Sequence, residues 1–184
     1  MPIARLFYQN IVWKGLFFFT AFILTVLIAR HYQASVSGQI FYLINLYAFI
    51  ILIASISLES AMGYYISKGE ISVIKLLNFS FIWTVLTAIG IFLFVIMKRN
   101  GDYTRIDILA TTFICGNLLS GYCAGISYAK RNFFLPNVIN IGINLSLIFL
   151  LLLMEVLKTK IINDDVFLVI FFSSFLLQGL TSFM

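Results

Sequence analysis

Long apolar runs separated by short polar clusters organise this chain. Six can be marked out: Ile11 to Ala29, Gln39 to Ile66, Val73 to Met97, Ile106 to Ala129, Asn137 to Leu157 and Val166 to Met184. Crossing the hydrocarbon of a bilayer takes roughly 20 apolar residues in a helix. Inside lipid every backbone N–H and C=O must be satisfied within the protein, so only helices or closed barrels can span it. Barrel strands alternate apolar and polar positions over shorter stretches, whereas these runs are continuous. The pattern predicts an all-α fold, a polytopic bundle of about six transmembrane helices forming a single transmembrane domain over residues 1–184.

The connections are short and hold much of the charge. They are Arg30-His31, Lys68-Gly69-Glu70, Lys98-Arg99-Asn100-Gly101-Asp102, Lys130-Arg131 and Lys158-Thr159-Lys160. None has room for a soluble catalytic module. Composition agrees: 62% of residues are hydrophobic and only 10% charged, against about a quarter charged in soluble domains. The net charge of +5 has two readings. One is loop charge that orients the chain and meets membrane lipid headgroups. The other is an electropositive cavity for an anionic cargo. Composition does not separate them.

The first run could pass for a signal peptide, since Arg5 and Lys14 precede the apolar core Phe17 to Ala29. No small-residue cleavage site follows, so it reads as an uncleaved first helix. With the N-terminus inside, Arg5, Lys14, Lys68, Lys75, Lys130 and Arg131 lie on the inner side. Arg30, Lys98, Arg99, Arg105, Lys158 and Lys160 lie outside. That even division leaves the positive-inside rule without a direction. The sixth run reaches Met184 with no basic or aromatic flank, which reads as part of a larger protein.

Enzyme chemistry finds little support. Cys115 and Cys123 are eight residues apart on one expected helix, roughly 12 Å along its axis, too far for a disulfide. His31 is the only histidine. No GxSxG, HExxH, Walker A or GxGxxG pattern is present. The expectation is a non-enzyme with no cofactor, no metal and no nucleic-acid partner.

Polar groups within the spans are the better clue, because each is costly unless it faces protein or water. Asn137, Asn140 and Asn144 recur at spacings of three and four, so they form one helical stripe. They suit either a hydrated cavity or an interhelical hydrogen-bond ladder. The second run carries Tyr42, Asn45 and Glu59. In an unbroken helix Asn45 and Glu59 would lie within about 40° of each other around the axis. Glu59 needs compensation by a base such as Lys14 or by protonation. It is either an ion-coupling group or a headgroup-level carboxylate near Lys68. Lys14, and Lys75 with Asn78, can either snorkel to the interface or face a cavity. Gly121 and Gly125 form a GxxxG in a fourth run rich in small residues, which reads as close helix packing. Ser174, Gln178 and Thr181 make a further polar stripe in the sixth.

Several segments together resemble a known family. Ile28-Ala29-Arg30-His31-Tyr32, Gly38-Gln39-Ile40-Phe41-Tyr42 and Leu58-Glu59-Ser60-Ala61-Met62-Gly63-Tyr64-Tyr65-Ile66-Ser67-Lys68 look like the opening of bacterial polysaccharide (O-antigen type) flippases. Asn10, Arg30, Gly38 and Leu58 to Ala61 fall at the family's characteristic places. Tyr128-Ala129-Lys130-Arg131-Asn132 resembles its basic turn between the fourth and fifth helices. Gln33 and Ser57 stand where the family commonly has glycine.

The resemblance implies the fold shared with multidrug and toxin extrusion transporters, in which two lobes flank a cavity open alternately to each side. Six helices would form the N-terminal lobe, with the N-terminus inside. The opposite wall would come from a C-terminal lobe or a second copy. The implied activity is translocation of an undecaprenyl-pyrophosphate-linked oligosaccharide across the bacterial inner membrane for O-antigen, capsular or exopolysaccharide assembly. Lys14 and Lys75 would meet phosphate as point charges. Asn45, Asn137, Asn140 and Asn144 would offer amides to sugar hydroxyls, and Glu59 would couple an ion. The alternatives are a multidrug or cation antiporter of the same superfamily, which should favour carboxylates over lysines, a membrane-embedded enzyme of polysaccharide assembly, and an inactive truncated lobe.

Overall fold

A computed structural model describes residues 3–32, 34–98, 105–157 and 164–183. The expected loop residues Arg99 to Asp102 and Lys158 to Lys160, together with Gln33 and Met184, lie outside the described residues. Those described form seven α-helices and no strand: α1 (Ile3–His31), α2 (Ala34–Ser55), α3 (Leu58–Lys68), α4 (Val73–Lys98), α5 (Arg105–Ala129), α6 (Phe134–Leu157) and α7 (Asp164–Phe183). Five of them are long and apolar enough to cross a membrane, and α7 adds a shorter apolar stretch, Val166–Ser182. The chain is a polytopic helical membrane bundle of about six spans.

The second span corrects an expectation. A single helix from Gln39 to Ile66 is not what forms. The chain breaks between α2 and α3, where Ile56 (φ 45°) and Ser57 (φ 55°) adopt left-handed backbone. Apolar periodicity could not reveal this, because Ile56 continues the apolar run. The freed groups find partners. Ser57 caps α3 with its carbonyl, which accepts from the N–H groups of Ser60 and Ala61, although its side chain makes no cap. The Ala54 carbonyl, which an unbroken helix would pair with the N–H of Leu58, accepts instead from the Trp83 indole N–H at 2.8 Å. At its far end α3 stops at Gly69, whose φ of 71° is the left-handed conformation common just past helix ends.

The helix α5 is the axis of the bundle. Two thirds of its span is buried, against 11% of α4, and α2, α3, α4, α6 and α7 all touch it. Its small residues explain this position. A Cβ on Gly116 would overlap the Phe175 carbonyl, and one on Gly179 would come within 2.6 Å of the Gly116 carbonyl oxygen. Backbone thus meets backbone where α5 crosses α7. Tyr47, Phe113, Phe171, Phe172 and Phe175 pack ring against ring around this crossing. The outer faces of α1, α2 and α4 remain apolar and exposed, with Phe18, Phe22, Leu52, Ile74 and Phe94 among them. A bilayer solvates such a surface and water does not.

Two pairs of helices run parallel. Along the α1–α6 seam, Trp13 meets Phe134, Thr20 meets Asn144 and Arg30 meets Glu155. In the α5–α7 pair, Phe113 meets Phe172 and Ser120 meets Gln178. The first pair touches α7 and α5 through α6, while α1 makes only slight contact with α2. A cavity is left between the two groups.

Candidate functional site

This cavity has a volume of about 690 Å³. Its walls are α1, α2, α3, α5, α6 and α7, while α4 contributes nothing. Five of the seven candidate site residues line it: Lys14, Asn45, Glu59, Asn140 and Asn144. They come from four helices and span 131 positions of the chain, so only the tertiary fold unites them.

Two candidates stand elsewhere. Lys75 is exposed in the first turn of α4 and Asn137 is buried in the first turn of α6, where its amide donates to the Phe133 carbonyl at 2.6 Å. Neither lines the cavity. Asn137 shares the angular stripe of Asn140 and Asn144 but sits nearer the helix end, so it braces the α5–α6 connection. The expected alignment of Asn45 with Glu59 on one helix also fails, since the α2–α3 break separates them. Both still reach the cavity, from different helices.

The asparagine stripe serves as ladder and lining at once. The Gln178 amide donates to the Asn140 side-chain oxygen at 2.7 Å and approaches the Ser120 hydroxyl at 3.0 Å. This joins α7, α6 and α5. Asn144 donates to the Thr20 hydroxyl at 3.2 Å, and Thr20 in turn donates to the Phe17 carbonyl, joining α6 to α1. Each contact satisfies a polar group that would otherwise face an apolar interior, which is why amides tie helices together in membranes.

Other amides keep capacity for a ligand. Asn45 and Asn117 each donate one N–H to the carbonyl four residues earlier on their own helices, at 2.9 Å. A carboxamide has two donors and an acceptor oxygen, so each retains groups for water or cargo. Asn117, Ser120, Tyr128 and Gln178 belong to the lining but were absent from the expected site. For Gln178 a signal existed in the stripe it forms with Ser174 and Thr181. For Asn117 there was only its polarity in an otherwise small-residue helix.

The charges of the cavity are Lys14 and Glu59. Lys14 is exposed, and its ammonium is the charge that acts on the Glu59 carboxylate. Glu59 occupies the first turn of α3, where the positive end of the helix dipole favours a carboxylate. The GxxxG of α5 is the seat for this turn. A Cβ on Gly125 would meet the Glu59 backbone oxygen at 2.9 Å, and one on Gly121 would lie 3.7 Å from its Oε2. The polar half of the lining is therefore one base, one acid, five amides and three hydroxyls, and the other half is apolar or glycine, with Phe17, Phe41, Phe171 and Phe175 among it.

Comparison with protein-family models, with curated proteins and with solved structures gives no match.

Proposed function

We propose that the chain forms one wall of a translocation pathway for an undecaprenyl-pyrophosphate-linked oligosaccharide in the bacterial inner membrane. The observation that carries this reading is the lining of the 690 Å³ cavity. Asn45, Asn117, Asn140, Asn144 and Gln178 put five carboxamides around a single space, with Lys14 at its edge. Sugar hydroxyls both donate and accept hydrogen bonds, and a carboxamide answers both from one planar group. Aromatic rings beside the amides offer apolar faces for the sugar rings. A lysine ammonium supplies a point charge for phosphate. The volume lies within the roughly 300–1,000 Å³ of small-ligand sites.

The physical task is to carry a hydrated headgroup across about 30 Å of hydrocarbon. Polar side chains replace the water that the headgroup loses. The lipid tail stays in the bilayer beside the slight contact of α1 with α2. A second six-helix lobe, or a second copy, supplies the facing wall, and rocking about the cargo alternates access. The resemblance drawn from Asn10, Arg30, Gly38 and Leu58 to Ala61 supports the same reading.

The antiporter reading predicts an acid-dominated cavity. With Lys75 outside, the balance is one lysine to one carboxylate, so the preference for the oligosaccharide reading rests on the amides. The test replaces Lys14 with Gln in the intact transporter and follows surface polysaccharide. Export should fall at least about tenfold at normal protein levels, the loss of one charge-assisted contact. Unchanged export would remove Lys14 from the path. Unchanged export together with lost drug resistance would favour the antiporter.

A further inference from the structure

A groove of about 770 Å³ lies across α2 from the first cavity. The two share no lining residue. Phe41, Ile44 and Asn45 of α2 face the first, whereas Leu46, Ile50 and Ile53 face the groove. Its opposite wall is α4, and Ala110 and Ile114 of α5 form its floor.

The groove follows one half of the bundle's depth. Trp83 stands near the middle of α4, and its indole N–H donates to the Ala54 carbonyl at 2.8 Å. This ties α4 to the last turn of α2. Elsewhere the backbones of α2 and α4 scarcely approach each other. From Ala54 to Tyr42 the opening runs about 18 Å along α2, at 1.5 Å per residue. Half of a bilayer's hydrocarbon is about 15 Å deep. The groove thus has the length of one leaflet, closed at mid-membrane and open toward the surface. A partner helix crossing the whole bilayer does not fit a groove that stops halfway, whereas a lipid chain does. Gly90 of α4 keeps the space clear. A Cβ there would meet nothing within 4 Å, although glycine is unfavourable within a helix.

The polar groups are few and fix the orientation of an occupant. The Thr87 hydroxyl donates to the Trp83 carbonyl at 2.9 Å, and the Tyr47 ring packs on Phe113 and Phe172. Among the described residues, Asp107 is the one charge in the lining. It sits in the first turn of α5, at the open end. The occupant is therefore an amphiphile, with an apolar chain one leaflet long and a cationic head that donates to a carboxylate. The chain places bases next to this acid, Lys98 at the end of α4 and Arg105 at the start of α5, which suits the phosphate of a zwitterionic headgroup. An anionic headgroup without an ammonium has nothing to offer Asp107.

We propose that the α2–α4–α5 groove binds one phosphatidylethanolamine molecule, with an acyl chain between α2 and α4 and the ammonium donating to Asp107. The lipid fills the splay between these helices and holds the peripheral α4 to the bundle. The site stands apart from the cargo reading, since none of its residues lines the first cavity.

The test is native mass spectrometry of the purified full chain, released from nanodiscs holding equal parts of phosphatidylethanolamine, phosphatidylcholine and phosphatidylglycerol. One phosphatidylethanolamine should be retained in roughly tenfold preference over phosphatidylcholine, whose trimethylated nitrogen has no N–H, the size of one hydrogen bond to a charged group. Gly90→Leu fills the groove and should abolish retention. Ile53→Trp closes it from the exposed face of α2 and should act alike, so a folding defect in one variant leaves the other to decide. Gly142→Leu, at an equally open position on α6, should change nothing. Asp107→Asn should erase the preference between the two zwitterionic lipids and leave the chain bound. Retention that survives both groove-filling variants overturns the site. Equal retention of the two zwitterionic lipids, or preference for phosphatidylglycerol, overturns the headgroup assignment. A protein dimer in place of a lipid adduct, or no adduct at all, overturns the proposal.

Discussion

The amide nitrogen of Gln178 lies 2.7 Å from the side-chain oxygen of Asn140, and this contact ties α7 to α6 beside the central helix. Ser120 of α5 shares the same donor at 3.0 Å. Interhelical polar contacts in membranes average about 0.6 kcal/mol and reach about 1.7. Two acceptors lose their donor in Gln178→Leu, so the variant should cost about 1 kcal/mol. Unfolding titrations of the reconstituted protein would read it. A cycle with Asn140→Ala should show coupling on the order of 1 kcal/mol. Strictly additive losses would mean that the two amides are neighbours and not partners.

The crossing of α5 and α7 makes a sharper prediction. A Cβ at Gly116 or Gly179 would strike backbone, which has no rotamer to yield. Alanine at either position must push the helices apart, at about 2 kcal/mol or more, within the range of overpacking. Gly38 and Gly90 have nothing within 4 Å of a built Cβ. Alanine there should be neutral or stabilise its helix by up to about 1 kcal/mol. Equal effects at all four positions in thermal melts would remove the close crossing.

How much of this was visible in the residues alone follows from what a helical pattern encodes. The six spans were legible because lipid demands long apolar runs. The stripe of Asn140 and Asn144 was legible because helical spacing fixes angle. Depth is not encoded, so Asn137 shared the angle and missed the cavity. Nothing in the helix of Lys75 reveals that α4 stands at the periphery, so its place outside the cavity lining was not legible. The break at Ile56 was hidden, since a backbone torsion leaves no mark in hydropathy. Gln178 could have been found from its stripe, but its pairing with Asn140 required two helices to be docked.

The break at Ile56 and Ser57 has its own test. Ser57 holds a φ of 55°, a left-handed conformation that costs an ordinary residue roughly 1–2 kcal/mol. Its side chain returns nothing as a cap. Glycine carries no such penalty. Ser57→Gly should therefore be neutral or stabilise the protein by up to about 1 kcal/mol. Ser57→Pro should be strongly disruptive, because proline fixes φ near −65°. A continuous α2–α3 helix predicts the opposite sign for glycine, a loss of about 1 kcal/mol from a helix interior. Thermal melts of Ser57→Gly and Ser57→Ala side by side decide between the two.

The α1–α6 seam is held by two polar ties of different worth. Arg30 and Glu155 approach to 3.4 Å, but their side chains are 74% and 46% exposed. A pair so open to solvent is screened and contributes about 0–1 kcal/mol. Thr20 and Asn144 are both buried, and their contact at 3.2 Å lies deep in the seam. Replacing Thr20 with Val keeps the shape and leaves the Asn144 amide without its acceptor, at about 1–2 kcal/mol. Arg30→Ala should change stability by less than about 0.5 kcal/mol. On the translocation proposed for the cavity, the contrast also reaches function, because Asn144 lines it and Arg30 does not. Thr20→Val frees the Asn144 amide to turn, so transport should fall with it, while Arg30→Ala should leave transport intact. If Arg30→Ala proves the more damaging in both assays, the seam is held from its outer end, and the buried contact is incidental to both packing and transport.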